Sequence, residues 1–250
     1  MKIEKYKKLK SGQYSVSFSN NKEMKLYEEV ILSFGLLLKP DITSSLLLEI
    51  TSKNEEWDVY YQALKLIKTK SRTTKEIEDT LLKKEYPKNL IDIATVKLNE
   101  QKYLDDKWYA KAYVNRGIIQ SKGPYAIIKE LEKKGVEKEF ITESLDEYSD
   151  EIECNILNKK IRTMIKRNHT KSNIMLKQKI ISDLISQGFN KENIVSILSE
   201  QTLNDDSDII KKEYEKIKLK LSKKYSGKEL DYKVQQKLYQ KGMTYNEHSN

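Results

Sequence analysis

The feature that most constrains the fold is a pattern of apolar residues that recurs about every fifty residues. The last apolar residue of each copy advances by 50, 53 and 54 residues, and a glycine precedes it in three of the four copies. The copies are Ile77, Leu81 and Tyr86; Ile127, Leu131 and Val136; Ile180, Leu184 and Phe189; and Val234, Leu238 and Met243. A period of this length indicates a repeat architecture, because each unit buries little apolar surface alone and must stack on its neighbours.

Each copy predicts two helices joined by a tight turn. Gly135, Gly188 and Gly242 follow an apolar helical stripe and can take the left-handed conformation that ends a helix, so the next apolar residue folds back onto it. Glu85 stands at this place in the first copy, and the geometry of that turn stays open. A long helix precedes each pair, which gives three helices per unit. The predicted first helices span residues 55–69, 105–120, 149–167 and 206–224.

The first fifty or so residues follow a different pattern. Tyr14, Val16 and Phe18 alternate with serines, which is the period of a half-buried strand, and residues 3–9 can supply its partner. The sequence therefore predicts a small β-hairpin here. Beyond it we predict a short helix near residues 27–34, a break at Pro40-Asp41 and a further helix over residues 43–50.

Together these patterns predict a mainly α-helical protein. Its tandem three-helix units, helix-turn-helix-like in outline, are expected to form an elongated, curved row behind the N-terminal β-hairpin. The predicted segments are residues 1–52 for the hairpin and short helices, 53–100, 101–148 and 149–202 for three full units, and 203–250 for a partial fourth unit that stops before its third helix.

Composition supports this architecture and suggests a compartment. Hydrophobic residues make up 38% of the chain and charged residues 34%, which suits many thin apolar seams better than one thick core. Cys154 is the single cysteine, so no intramolecular disulfide can form. The N-terminus leads into no apolar signal segment, and the apolar runs are too short to span a bilayer. We therefore expect a cytoplasmic protein that does not enter a membrane.

Residues typical of catalysis are present without the partners that catalysis needs. Asp105 and Asp106 are paired carboxylates, but they stand before a helix, where the first acid caps free N–H groups and both favour its positive end. His169 and His248 have no metal-ligand spacing, and the acids around Cys154 disfavour the thiolate that a nucleophile requires. No glycine-rich loop cradles a phosphate. We predict no catalytic residue, no metal site and no cofactor.

Helix-turn-helix proteins read bases with the helix that follows the turn, and that helix has the wrong charge here. In the second unit it spans residues 137–148 and carries five acids against Lys138. The phosphate backbone would repel it. Sequence-specific recognition of DNA through these third helices is therefore not expected.

The cations gather elsewhere. The net charge is +9, and residues 159–171 contain six cations and no acid. An AT-rich codon bias or a solvated helix face would explain this cluster of cations without any function. A docking face for an anionic partner would explain it functionally. The separation from the acidic third helix favours the second explanation. The candidate residues are Arg72, Arg116, Lys122, Lys159, Lys160, Arg162, Lys166, Arg167 and Lys171.

One stretch of the chain also resembles a known family. It reads Tyr103-Leu104-Asp105-Asp106, then Tyr109-Ala110, Arg116, Lys122-Gly123-Pro124 and Lys134-Gly135-Val136. This motif resembles the second repeat of RecX regulatory proteins. The similarity extends over about residues 55 to 200. Within this range, Lys70-Ser71-Arg72-Thr73 precedes the motif and Gly188-Phe189 follows it. The hairpin and the partial fourth unit look like the longer form of the family.

The resemblance implies a regulator that is not an enzyme. Proteins of this family bind the RecA recombinase filament on single-stranded DNA, suppress its ATPase and strand-exchange activities, and limit the SOS response. The candidate cations would then contact the filament, and binding to DNA alone would be weak. We expect a monomer. The residues themselves leave two alternatives open, a general nucleic-acid-binding helical-repeat protein that acts without RecA, and an adaptor for an unrelated protein.

Overall fold

The computed structural model describes residues 1–38, 41–168, 170–203 and 205–245. Pro40 of the predicted break, and both histidines, lie outside these residues. The strands are β1 (Ile3–Lys8), β2 (Tyr14–Phe18) and β3 (Glu23–Leu26). The helices are α1 (Glu28–Ser33), α2 (Ser44–Thr69), α3 (Thr74–Leu82), α4 (Lys88–Glu100), α5 (Asp106–Ile119), α6 (Pro124–Lys133), α7 (Lys138–Leu145), α8 (Asp150–Lys166), α9 (Asn173–Ser186), α10 (Lys191–Ser199), α11 (Ser207–Leu221) and α12 (Gly227–Gln240). The prediction of a mainly α-helical repeat protein with a small N-terminal sheet is confirmed.

The chain packs into two compact units. The first comprises Met1–Ala110 with Glu132–Phe140, and the second comprises Lys111–Leu131 with the chain from Ile141 onward. In the first unit, buried clusters lie under the sheet and among α2, α3 and α4. In the second unit, one buried cluster joins α11 to α12. Among the described residues no helix is long and apolar enough to cross a membrane. The division into five segments stays a prediction.

The N-terminal sheet has one strand more than predicted. Its order is β1-β2-β3 and both pairs are antiparallel, with Tyr14 opposite Lys8 on one side and Leu26 on the other. The prediction of a two-stranded hairpin was therefore incomplete, because it lacked β3. The third strand has only four residues, two of them charged and exposed, and its alternation is too short to stand out in the sequence.

The two helices predicted over residues 43–50 and 55–69 are one helix, α2. It begins after Thr43, whose hydroxyl accepts the Leu46 N–H at 3.2 Å. No proline or glycine interrupts the residues between the two predicted segments, so the helix continues through them. Asn54 in that stretch ties the helix to the sheet, because its side chain accepts the Tyr27 N–H at 3.0 Å and donates to the Lys25 carbonyl at 3.0 Å.

All four copies of the apolar pattern end in a left-handed turn, including the first, for which the sequence left the turn geometry open. The φ angles are 65° at Glu85, 77° at Gly135, 84° at Gly188 and 60° at Gly242. The next apolar residue folds back as expected, since the Phe189 N–H donates to the Leu184 carbonyl and the Met243 N–H to the Leu238 carbonyl. Glu85 thus adopts the conformation that glycine takes elsewhere, against the steric preference of an L-residue with a Cβ.

The start of α3 is joined to the turn after α6, and we call this contact the first joint. The Thr73 hydroxyl accepts the Glu76 N–H at 3.2 Å and donates to the Lys134 carbonyl at 2.7 Å. The next N–H, from Thr74, donates to the Asp106 carboxylate at 2.9 Å. The Lys134 ammonium completes the joint with an ion pair to Glu76 at 2.8 Å. One buried hydroxyl therefore caps a helix and fixes a turn that lies 61 residues further on.

The second joint links the start of α6 to the turn after α9 through backbone groups. The Gly123 N–H donates to the Gln187 carbonyl at 3.2 Å, and the Tyr125 N–H donates to the Gly188 carbonyl at 3.0 Å. A methyl carbon added to Gly123 would lie 2.2 Å from the Gly188 carbonyl carbon. Glycine is therefore required on both sides, because the two backbones approach too closely for a Cβ.

The third joint links the start of α9 to the turn after α12 and repeats the chemistry of the first. The Ser172 hydroxyl donates to the Lys241 carbonyl at 3.1 Å. The Asn173 N–H donates to the Asp206 carboxylate at 2.6 Å. In all three joints, the carbonyl that precedes a turn glycine accepts a hydrogen bond from the start of an earlier helix.

Candidate anion-binding surface

Helix α8 carries four of the nine predicted cations, and its sequence favours a stable helix. The Ser149 hydroxyl caps it by accepting the Ile152 N–H at 3.3 Å, and its first turn holds acidic residues that match the positive end of the helix. Lys166 lies in the last turn, where a cation matches the negative end. Leu157 and Ile161 are fully buried on the opposite side. The apolar stripe therefore fixes which side chains of α8 face solvent.

Four of the candidate cations form one exposed group, which we call the α8 cationic face. Lys159, Arg162 and Lys166 are exposed, and their spacing of three and four residues places them on one side of the helix. Arg167, the C-cap, is exposed just beyond them. The Arg162 Nε donates to the Gln201 side chain at 3.2 Å, which orients the guanidinium. No carboxylate side chain occurs between Lys159 and Lys171 to neutralise this face from within the segment.

Two other candidates in the same segment are partly buried. The Lys160 ammonium donates to the Gln187 side chain at 2.7 Å and lies 5.5 Å from the Phe189 ring centroid. Burial lowers the pKa of Lys160. Lys171 is half-buried, and its backbone N–H and carbonyl are both held by the Asn168 side chain. These two residues are better placed to stabilise their turns than to bind an external anion.

The remaining candidate cations differ in how far their side chains are free to contact an external anion. Arg116 is exposed on α5. Lys122 is engaged, since its ammonium forms an ion pair with Glu130 at 2.6 Å and its carbonyl accepts the Tyr148 hydroxyl at 2.7 Å. Arg72 lies in the first compact unit and is half-buried, with its Nε atom inaccessible to solvent and without a hydrogen-bond partner.

The two acids of the motif around Asp105 accept backbone N–H groups, and the predicted cap at Asp105 is present. The Asp105 carboxylate caps α5 by accepting the Trp108 N–H at 2.8 Å. Asp106 does more than favour the helix end, because it accepts the Thr74 N–H in the first joint. Burial raises the pKa of the Asp106 carboxyl, although the bond from Thr74 stabilises its charged form. Leu104 is buried beside them, whereas Tyr103 is exposed.

The remaining motif residues lie in the joints. Gly123 and Pro124 begin α6 at the second joint, and Gly135 forms the turn of the first. The close backbone approach at Gly123, the left-handed φ of Gly135 and the place of Pro124 at the first helical position explain why glycine and proline stand there.

Helix α7, which corresponds to a base-reading helix, is acidic at its surface. Glu137, Glu139, Asp146 and Glu147 are exposed around or within it. These carboxylates would meet the phosphates of a duplex at close range, and like charges repel. Among the described residues no group of three or more His, Cys, Asp or Glu side chains could hold a metal ion.

One surface feature was missed by reasoning from the sequence. Trp108 is 60% exposed and Tyr103 is 53% exposed, and both line a cleft of about 360 Å³ together with Arg72 and Lys102. The available signal was an aromatic pair beside two cations, but the sequence separates Arg72 from the others by thirty residues. Only the fold brings them to one cleft.

These features define a class of protein: an α-helical repeat protein that presents exposed cations on a helix face. A family model described as "RecX, second three-helix domain" matches residues 105–145. The chain is 30% identical over 238 residues to "Regulatory protein RecX" of Listeria monocytogenes serotype 4a (strain HCC23), covering 93% of this chain and 88% of that protein. It is 32% identical over 234 residues to the protein of that name from Bacillus cytotoxicus, covering 88% and 83%. The chain belongs to the RecX family of regulatory proteins.

Solved structures agree with this assignment. A crystal structure of regulatory protein RecX aligns with a TM-score of 0.71 and 23% identity, over 80% of this chain and 99% of that one, which supports the fold. RecX from Lactobacillus salivarius aligns with a TM-score of 0.56 and 27% identity, over 59% of this chain and 97% of that one.

Proposed function

We propose that this protein binds the RecA filament on single-stranded DNA and inhibits its ATPase, strand-exchange and SOS-inducing activities. The observation that carries the proposal is the α8 cationic face on a chain that belongs to a family of regulatory proteins. RecA itself enters through the resemblance of the motif at residues 103–136. The protein acts without catalysis, as a cytoplasmic monomer that needs no cofactor.

The charge distribution favours contact with a phosphate backbone over the reading of a duplex. Lysine and arginine side chains that reach phosphates position a protein without reading sequence. Arg162 and Arg167 offer planar groups that suit phosphate or carboxylate oxygens, and Lys159 and Lys166 add mobile charges beside them. The acidic surface of α7 opposes insertion of that helix into a groove. A filament presents both protein and DNA. The basic surface can therefore contact DNA phosphates, while the acidic surface of α7 faces protein.

The direct test is the single-strand-dependent ATP hydrolysis of the cognate RecA. Added protein is expected to slow hydrolysis and to shorten filaments in a dose-dependent way. Unchanged hydrolysis together with unchanged filament length at saturating protein would refute the proposal.

The role of the α8 cationic face is tested by the double variant Lys166→Glu, Arg167→Glu. It is expected to weaken inhibition at least tenfold, because two attractive charges become repulsive. The matched control is Lys5→Glu, Lys7→Glu, which makes the same charge change at exposed positions on β1. Cations near a helix C-terminus also stabilise the helix by about 0.3–1 kcal/mol, so thermal unfolding must show that both variants are folded. Normal inhibition by the α8 variant would mean that this face is only solvated surface.

A second candidate is a nucleic-acid-binding protein that acts without RecA. It is favoured by further exposed lysines on α11, among them Lys212, Lys216 and Lys220. This candidate predicts tight binding to bare DNA and an affinity that falls steeply as salt rises. Weak binding to bare DNA beside strong binding to the filament would reject this second candidate. A pull-down that returned a protein other than RecA would instead support an adaptor for that protein.

A further inference from the structure

The cleft beside Trp108 lies within the first compact unit, between the loop after α2 and the start of α5. Its volume of about 360 Å³ falls in the range of sites that hold small planar ligands. It belongs to neither the α8 cationic face nor the acidic surface of α7. Its lining combines exposed aromatic rings with cations.

Two of the aromatic rings that line the cleft are open to solvent. Trp108 and Tyr103 are more than half exposed, whereas large apolar side chains of this chain are mostly used in its buried clusters. The backbone of Trp108 is held by the bond from its N–H to Asp105, so the ring projects from a fixed position. An exposed, positioned tryptophan is a surface on which another planar group can stack.

Two cations, Arg72 and Lys102, also line the cleft and supply positive charge. The Arg72 Nε atom is inaccessible to solvent and has no hydrogen-bond partner, which is a costly state for a charged donor. Lys102 is exposed at the rim and has a left-handed φ of 59°. Among the described residues that line the cleft, Asp105 is the one carboxylate, and it is already engaged with the Trp108 N–H. The cleft therefore suits an anionic ligand with a flat face.

We propose that this cleft binds one unstacked base of single-stranded nucleic acid, with the base stacked on Trp108 and the neighbouring phosphate near Arg72 and Lys102. The choice of polymer rests on the proposed function. Every base has a π face, so such a site accepts any sequence. Bases in a duplex are stacked on each other and unavailable, so the site prefers a single strand.

The main arm of the experiment uses the full chain and naked DNA at low salt, without recombinase, and a second arm adds recombinase without DNA. Tryptophan fluorescence is followed while a short oligothymidylate is added, and again with an oligonucleotide of equal length whose sugars carry no bases. Stacking quenches Trp108, so oligothymidylate should quench the emission and the abasic strand should not. Trp57 is the other tryptophan, half-buried with the Lys97 ammonium 3.2 Å from its ring centroid, and it should be unaffected. The variant Trp108→Phe leaves Trp57 as the one tryptophan, so its emission can be followed alone.

Affinity measured by fluorescence anisotropy of labelled DNA gives an independent readout. Trp108→Ala should weaken oligothymidylate binding about tenfold and leave binding of the abasic strand unchanged. The control Tyr239→Ala removes a ring that is 82% exposed outside the cleft and should change neither. Circular dichroism confirms that the variants are folded.

Three results would overturn the proposal: equal quenching by both strands, no binding of oligothymidylate at low salt, or quenching only when recombinase is added without DNA. The last would assign the cleft to a protein partner. None of these outcomes decides the filament ATPase assay, which therefore tests the proposed function separately.

Discussion

The first and second joints perform the same task with different groups. In the first, side chains make the contact: the Thr73 hydroxyl bonds the Lys134 carbonyl, and Asp106 accepts the Thr74 N–H. In the second, the backbone at Gly123 bonds the backbone at Gln187 directly. A side-chain joint can adjust by a rotation, whereas a backbone joint cannot. The comparison teaches that the repeat conserves the position of a contact more strictly than its chemistry.

Pro124 explains why the second joint differs. It occupies the helix position at which Thr74 and Asn173 donate an N–H to a carboxylate in the other joints. Proline has no N–H to donate, so that bond cannot form. The backbone bonds from Gly123 and Tyr125 take its place, and they require the two chains to approach closely.

The sharpest way to break the comparison is to add one methyl group to each turn glycine. In Gly188→Ala the new carbon would lie 2.3 Å from the Ala126 backbone nitrogen, at a φ of +84°. We expect a loss of about 3–4 kcal/mol of unfolding free energy, from left-handed strain and a forced backbone shift. In Gly135→Ala the carbon meets the flexible Lys75 side chain, and the expected loss is about 2 kcal/mol.

The third joint completes this series. In Gly242→Ala the nearest atom is 3.2 Å away on the Ile174 side chain, so left-handed strain dominates and about 1 kcal/mol should be lost. Urea denaturation of the three variants measures the order directly. If Gly135→Ala proved more damaging than Gly188→Ala, the distinction between side-chain and backbone joints would be wrong.

The second prediction removes the hydroxyl of the first joint. Thr73→Val keeps the side-chain shape but loses the helix cap and the bond to Lys134, and it should cost about 2 kcal/mol. Ser172→Ala should cost about as much in the third joint, where the same two bonds are longer. Thr69→Val is the control, because its exposed hydroxyl bonds the Leu66 carbonyl of its own helix and lies outside the joint. Equal effects of Thr69→Val and Thr73→Val in thermal unfolding would contradict the role of the joint.

The third prediction concerns the ion pair of the first joint. Burial alone would raise the pKa of Glu76, but hydrogen bonds from the Lys134 ammonium and the Thr73 N–H outweigh it and hold the pKa below its usual value. A carboxyl with a lowered folded-state pKa stabilises the fold above its unfolded pKa, and this stability is lost as pH falls through the folded value. Glu76→Gln should therefore be destabilising at neutral pH, with a difference from wild type that shrinks in acid.

Unfolding midpoints measured for both proteins from neutral to acidic pH test the sign of this linkage. The control Glu78→Gln alters an ion pair with Lys88 on the exposed surface, away from the joint. Its effect on the unfolding midpoint should depend much less on pH. A Glu76→Gln penalty that grew as the pH fell would contradict the prediction.

The smallest expected effect is a gain. Glu85 holds a φ of 65° where the other turns use glycine, so Glu85→Gly relieves steric strain at that turn. Part of the benefit is lost to the greater freedom of glycine in the unfolded chain, which leaves about 0.5–1 kcal/mol of added stability. Glu85→Asn, which tolerates this region better than glutamate, should gain less. A loss of stability in both variants would show that the Glu85 side chain contributes a contact of its own.

The repeat, its left-handed turns and the Asp105 cap could be predicted because each depends on residues close together in sequence. The continuity of α2 was missed because residues 51–54, Thr-Ser-Lys-Asn, are all polar and carry no apolar period that links the two predicted helices. The inward roles of Lys122 and Lys160 depend on Glu130 and Gln187, which only the fold places beside them. The sequence also separates Arg72 from Trp108, so their shared cleft could not be predicted.

The joints have a consequence for the order in which the protein matures on the ribosome. Thr73 bonds a carbonyl 61 residues further along the chain, and Ser172 bonds one 69 residues further. Each helix start must therefore wait for the next turn to be synthesised before its polar groups are satisfied. Since chains emerge at about 5–20 residues per second, each newly made repeat spends several seconds with an open end.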